Sequence, residues 1–190
     1  KEAQAVVLAG RPGRFSAGFD LAVMREGGRA TRDLVQGGAE LLLRLVEAPL
    51  PLVTACTGHA LARGALILLA SDLRLGARGE FKLGLNEVAI GMALPAFAVE
   101  LARDRLDPRH LGRATLLAEI YPPEASIEAG YLDRVVAGEQ LLDHALAEAE
   151  RLAALPRGAF AGTRRLLRAP QAERMRAALA EDVAHWDPQA

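Results

Sequence analysis

The chain has 190 residues, 51% of them hydrophobic, which is enough to bury one substantial core. Charged residues make up 25% and cancel to a formal net charge of −1, so no overall field draws the chain to nucleic acid or to an anionic membrane. Aromatic residues are only 4%, too few for the stacking platforms of single-strand binders. Cys56 is the sole cysteine, which excludes an intrachain disulfide and any Cys-x-x-Cys metal or redox site and fits a reducing cytoplasm. The longest apolar stretch, residues 65–70, is far too short for a membrane span, and no basic-then-apolar leader precedes Ala5. A cytoplasmic enzyme-sized unit is expected.

Residues 5–9 are an apolar, β-branched run and predict a strand, ended by Gly10-Arg11-Pro12-Gly13, which demands a loop. A turn follows at Ser16-Ala17-Gly18-Phe19, with Asp20 placed to cap a short helix. Leu34, Gly38, Leu41, Leu42, Leu45 and Val46 recur at helical spacing up to Pro49, predicting a helix that covers a sheet. Residues 51–57 read as a buried strand broken by Gly58, residues 63–71 as a helix buried on most faces, and residues 73–76 as extended. From Lys82 to Pro95, Gly84, Gly91 and Pro95 interrupt the apolar residues, predicting a loop-rich segment on the core, where functional residues are often found. The remainder is mainly helical, with a strand at 132–136 and an amphipathic helix marked by Leu141, Leu142, Ala145, Leu146, Ala149 and Leu152. The pattern predicts an α/β core over residues 1–137 and a helical C-terminal module over residues 138–190.

Three segments stand out chemically. Phe15-Ser16-Ala17-Gly18-Phe19-Asp20-Leu21 follows a predicted strand, enters a helix, and is tight enough to expose backbone amides. Gly58-His59-Ala60-Leu61-Ala62-Arg63-Gly64 does the same, and the unpaired amides and positive end of its helix favour an oxyanion. Gly84-Leu85-Asn86-Glu87-Val88-Ala89-Ile90-Gly91 places one carboxylate among apolar residues, where desolvation raises its pKa toward that of a useful base. Taken alone, each turn is an ordinary strand-to-helix connection and Glu87 an ordinary loop carboxylate.

Together, in this order and spacing, the three segments resemble the motifs of the crotonase (enoyl-CoA hydratase/isomerase) family. Ser71-Asp72-Leu73-Arg74 and Glu128-Ala129-Gly130-Tyr131-Leu132-Asp133-Arg134-Val135-Val136 extend the likeness, which runs from about Val6 to at least Leu167. The resemblance implies a crotonase-like ββα superhelix, with further opening strands expected ahead of Lys1. It implies an acyl-CoA thioester substrate, no cofactor beyond the coenzyme A carried by that substrate, no metal, and assembly as a homotrimer or hexamer. Position by position, it makes Glu87 the proton-transferring carboxylate and the Phe19 and Arg63 amides the donors to the thioester oxygen, with Arg14, Ala17, Gly18 and Leu66 as substrate-binding positions. Relatives usually carry glycines where this chain has Ala62 and Arg63, and a helix-start conformation there would tolerate both residues.

The Gly-Leu-Asn-Glu setting of Glu87 is similar to that of enoyl-CoA isomerases. Hydratases of the family carry a second glutamate two residues beyond the glycine matched by Gly64, and that position is Leu66 here. Isomerisation of an unsaturated acyl-CoA is therefore expected, with hydration or non-catalytic acyl-CoA binding as the alternatives. Arg63 reads as a solvent-facing side chain, and Arg11, Arg14 and Lys82 are candidates for the nucleotide end of coenzyme A. His59, His110, His144 and His185 lack the spacing of a zinc site and read as structural or solvent-facing, although His59 lies close enough to the second turn to orient a group there. Asp72 reads as structural. Ser16, Ser71 and Ser126 lack a Gly-x-Ser-x-Gly elbow, and residues 10–18 lack the Gly-Lys-Ser/Thr ending of a phosphate loop, arguing against a serine hydrolase and a nucleoside triphosphatase.

Overall fold

The computed structural model describes residues 2–184; His185 lies outside them. Its first half is a repeating path of strand, strand, helix. β1 (Val6–Ala9) and β2 (Gly13–Ser16) lead to α1 (Leu21–Glu26) and α2 (Gly28–Glu47), and β3 (Leu52–Cys56) and β4 (Gly58–Leu61) lead to α3 (Arg63–Ala70). β5 (Leu73–Ala77) and β6 (Leu83–Gly84) lead through a 3-10 turn (Val88–Ile90) to α4 (Ala96–Arg105), α5 (Pro108–Thr115) and α6 (Ala125–Ala129). β7 (Arg134–Val136), α7 (Leu141–Ala153) and α8 (Arg157–Ala184) complete the described chain.

The first strand of each repeat joins one parallel sheet, ordered β1-β3-β5-β7, and the second joins another, ordered β2-β4-β6. Val6 pairs with Leu52, Val53 with Leu73, and Leu75 with Arg134 in the larger sheet. The second strand of each repeat fits the ββα superhelix, but the local pattern does not show it. Residues 13–16 form a strand where a loop and turn were read, and Gly58 starts β4 rather than simply ending β3. These strands are too short to show period-two alternation; pairing across the sheet creates them.

Packing revises one expectation. The buried stripe of α2, including Val35, Ala39, Leu42 and Val46, lies in a core shared with α3, α4 and α8, not on a sheet. The helix that covers the larger sheet is α7, whose Leu141, Ala145 and Ala149 pack on Val53, Ala55, Leu75 and Ala77. Asp20 caps α1 as predicted, its carboxylate accepting from the Ala22 amide at 2.8 Å. No helix among the described residues is long and apolar enough to cross a membrane.

Buried guanidinium groups fasten these layers. Arg164 of α8 donates to the Leu45, Val46 and Ala48 carbonyls at 2.9, 2.6 and 2.5 Å, capping the end of α2, while its Nε meets both Asp72 oxygens at 3.0 Å. Asp72 also accepts from the Leu52 amide, so its role is structural, as read. At the other end of α8, the Asp182 carboxylate accepts from the Ala96 and Phe97 amides and caps α4. Arg74 and Asp133 form a forked pair at 3.0 and 2.6 Å. Burial pushes the Asp133 carboxyl up, but the hydrogen bonds and charge of Arg74 outweigh it and hold the carboxyl below its usual range.

The connection from β4 to α3 is strained. Ala62 sits at φ 51° and ψ −122°, a left-handed conformation that L-residues rarely adopt, rather than in the helix-start conformation expected there. Two outcomes follow for equilibrium urea unfolding. Arg164→Met takes the nearest cation from Asp72 and the guanidinium donor from three carbonyls, and is expected to cost about 3–5 kcal/mol. Ala62→Gly relieves the strain, and after the entropy of the added glycine it is expected to gain about 1 kcal/mol; no gain would mean that the alanine is unstrained.

Candidate active site

The fold brings all three chemistry-bearing segments together. At the carboxyl end of β2, Gly18 has φ 101°, and a Cβ built on it would lie 3.1 Å from the Ala62 methyl and 3.9 Å from the Arg63 nitrogen. The two turns are therefore in van der Waals contact. One residue beyond Arg63, a Cβ on Gly64 would stand 2.2 Å from the Ser16 carbonyl oxygen, so only glycine lets α3 begin this close to β2. The third segment joins through the Ala62 amide, which donates to the Gly84 carbonyl at 2.9 Å, three residues before Glu87.

Backbone donors are left over in this cluster, the Phe19 and Arg63 amides among them. Neither the Phe19 nor the Arg63 N–H has an acceptor among the described residues. Arg63 is the first residue of α3, where an amide has no intrahelical carbonyl to reach and the helix dipole adds positive potential. Neighbouring amides are engaged: the Gly18 N–H faces the Ser16 hydroxyl at 3.5 Å and Ala62 is bonded to Gly84. These two amides lie in adjacent turns that meet at Gly18 and Ala62.

The Arg63 side chain corrects its sequence reading. It does not run to solvent; its guanidinium carbon lies 5.1 Å from the centre of the Phe19 ring, in a cation–π contact that ties the two turns together. Gly38 of α2 makes room, since a Cβ there would lie 2.7 Å from the Phe19 ring and 3.4 Å from Arg63 Nη1. Burial lowers the pKa of the guanidinium, and no carboxylate among the described residues pairs with it.

Glu87 immediately precedes the 3-10 turn and is only 9% exposed. Its carbonyl accepts from Ile90 and Met92 at 3.1 and 2.9 Å, fixing the backbone, while its Oε2 atom is buried without a hydrogen-bond partner. Burial pushes the carboxyl above its usual range, and its own backbone amide offsets only part of this. Leu66, on α3, is buried in the same core cluster as Leu85 and Tyr131. Ala17 and Gly18 lie in the first turn, and Arg14 is exposed on β2 opposite His59 of β4.

Other candidates separate from this cluster. His59 Nδ1 accepts from the Lys82 amide at 3.0 Å and its ring packs edge-on against Phe81, so it braces β4 against β6 rather than orienting a group at the turn. His110 meets the Tyr121 hydroxyl at 3.3 Å, and His144 is exposed on α7. The Cys56 thiol is buried and pushed up to about 12 by desolvation, so it is inert as a nucleophile. Cavities of about 460 and 510 Å³ flank Arg164 and Arg168 on α8, away from all three segments. Sequence reasoning missed Tyr131, which is wholly buried with its hydroxyl unpartnered, because a tyrosine inside a matched motif gives no sign of where its ring is directed.

Comparison with known proteins places the chain in a family. A family model described as enoyl-CoA hydratase/isomerase matches residues 1–186. The chain is 32% identical to human mitochondrial enoyl-CoA delta isomerase 1 over 90% of this chain and 57% of that protein. It is 28% identical to a probable enoyl-CoA hydratase of Mycobacterium avium, over 91% and 69% respectively. Among solved structures, an enoyl-CoA hydratase/isomerase family protein from Pseudomonas syringae superposes with a TM-score of 0.93 at 40% identity, covering 95% of this chain and 79% of the other. Human mitochondrial delta3-delta2-enoyl-CoA isomerase superposes at 0.87 with 32% identity, covering 95% and 73%. The chain spans 50–62% of the length of the three mitochondrial isomerases that it matches. With nearly its whole length matched by the family model and its fold shared with the family's solved structures, this chain belongs to the enoyl-CoA hydratase/isomerase, or crotonase, family.

Proposed function

We propose that the chain carries the active site of an enoyl-CoA isomerase that moves a double bond from C3 to C2 of an acyl-CoA. The observation that carries this reading is a single buried carboxylate, Glu87, with a free oxygen, combined with an aliphatic Leu66 where hydratases place a second carboxylate. Hydration calls for a water to be held and deprotonated while a proton reaches the α-carbon, work divided between two carboxylates. A double-bond shift needs one base. Glu87 removes a C2 proton, the electron pair passes into a dienolate, and Glu87 returns the proton at C4, leaving enzyme and overall charge unchanged.

Charge collects on the thioester oxygen as the dienolate forms, and the Phe19 and Arg63 amides are the proposed donors to it. One preorganised donor at such an oxyanion contributes about 3 kcal/mol. Raising the Glu87 pKa by burial suits this chemistry, since a stronger base meets a weakly acidic C–H. Ala17 and Gly18 form the wall beside the thioester, Leu66 lines the apolar side, and Arg14 is placed toward the nucleotide end of coenzyme A. No group beyond the substrate's own coenzyme A enters the scheme.

The discriminating assay presents a 3-enoyl-CoA and a 2-enoyl-CoA in deuterated water, followed by mass analysis. Isomerisation is expected to convert the 3-enoyl substrate without gain of water; addition of water to the 2-enoyl substrate would establish a hydratase, and no conversion despite affinity a binder. Glu87→Gln is expected to abolish turnover while retaining binding, and undiminished turnover would remove Glu87 as the base.

The raised pKa also fixes two pH dependences. Activity is expected to fall with decreasing pH through a limb above the ordinary carboxylate range, read from kcat/KM. The folded-state pKa exceeds the unfolded one, so the buried charge opposes folding at high pH and the opposition is relieved as pH falls. Glu87→Gln is therefore expected to stabilise the fold at neutral pH, with a gain that disappears below the unfolded carboxyl's pKa.

A further inference from the structure

We infer that Tyr131 is a positioning residue for Glu87, its phenol serving as the hydrogen-bond partner that the carboxylate uses as it gains and loses a proton. The inference rests on the reading of Glu87 as the proton-transferring base.

Several buried side-chain polar atoms have no hydrogen-bond partner, among them Glu87 Oε2, Asn86 Oδ1 and the Tyr131 hydroxyl. Natural cores rarely leave such groups unmatched, since an unsatisfied buried polar atom costs about 1–3 kcal/mol. Two of the three belong to consecutive residues of the catalytic loop. The third reaches the same region from a distant part of the chain. Gly130, at φ 93°, ends α6, and the Tyr131 amide turns back to the Ser126 carbonyl at 2.9 Å. This sends the ring into the core cluster that contains Leu85 and Leu66.

Neighbours on the same side hold that ring in place. Tyr121 lies 5.9 Å from Tyr131 between ring centres, and its backbone exchanges two hydrogen bonds of 2.9 Å with Leu83, at the start of the strand that leads to Glu87. The tyrosine side of the site is thus joined to the Glu87 loop by main-chain bonding. The Glu87 charge also acts on the phenol. Desolvation, then the neighbouring Tyr121, then the Glu87 charge hold the phenol well above its ordinary pKa, the Leu85 backbone two residues before Glu87 offsetting only part of this, so it remains a neutral donor throughout the working range. Behind it stand Tyr121 and His110, and beyond Tyr121 the exposed Glu119–Arg113 pair; among the described residues, Glu87 is the charged side chain that acts on the Tyr131 phenol.

A phenol suits this position for a chemical reason. It donates to an ionised carboxylate and accepts from a protonated one, so it satisfies Glu87 on both sides of the transfer, which a phenylalanine ring cannot do. Donation to the ionised form also limits how far burial raises the Glu87 pKa.

Tyr131→Phe removes one oxygen and leaves the packing intact. In infrared difference titrations that use Glu87→Gln as the subtraction, the Glu87 carboxyl is expected to titrate about one pH unit higher in Tyr131→Phe. The acid limb of kcat/KM should move with it, giving about a tenfold loss on that limb. A phenol with only a packing role would leave both where they were and, being unpartnered, would make the Phe variant as stable or more stable in urea. An unmoved infrared titration overturns the inference whatever the kinetics show. A moved titration in a protein whose Glu87→Gln variant still turns over supports the contact and overturns only the role of Glu87 as base.

Discussion

The arrangement of the site depends on the closeness with which α3 begins against the end of β2. Gly64 presses on the Ser16 carbonyl where no larger residue fits, and that contact brings the Gly18 turn against Ala62 and Arg63. The parallel pairing of β2 with β4 makes the contact possible, because it sets two strand-to-helix turns side by side. β6 then pairs with β4 and delivers the Gly84 carbonyl to the Ala62 amide, so the Glu87 loop starts from a fixed point. Three short strands thereby place residues from three parts of the chain within one small region. The proposed oxyanion donors and the proposed base owe their proximity to this minor sheet more than to the larger one.

Electrostatics divides the molecule into two kinds of buried charge. Arg164 and Arg74 are buried and Asp72 partly so, and each is taken up by carbonyls, amides or an opposite charge. Glu87 is buried and partly unengaged, which opposes folding and raises its proton affinity. Fasteners of the first kind join α8 to α2 and β7 to β5, and they supply the rigidity that lets a group of the second kind persist. Ala62 is a smaller instance, a strained residue retained at the turn where two segments of the site meet.

Membership of the crotonase family accounts for the fold and for the matched segments, but relatives bearing both isomerase and hydratase names share them. The distinction comes down to side chains. Leu66 is a buried aliphatic residue, and Arg63 spends its side chain on Phe19. A site that works with one carboxylate depends more heavily on whatever satisfies that carboxylate in each protonation state.

The sequence by itself determined the alternation of strands and helices, the Asp20 cap, the buried α3 and the residues of the three chemical segments, because these rest on local signals: apolar runs, glycine and proline breaks, and capping chemistry. It could not disclose β2, β4 or β6, which have two to four residues each and exist only through pairing with one another. Nor could it say that α7 rather than α2 covers the larger sheet, since an amphipathic stripe shows that a face is buried but not against what. Tertiary structure also decided the fate of individual side chains. Arg63 folds over Phe19 because Gly38 leaves space for it, and Glu87 and the Tyr131 phenol share one buried region because Gly130 turns the chain inward there. Local pattern names the residues of this site, and close backbone approach between distant segments decides which of them meet.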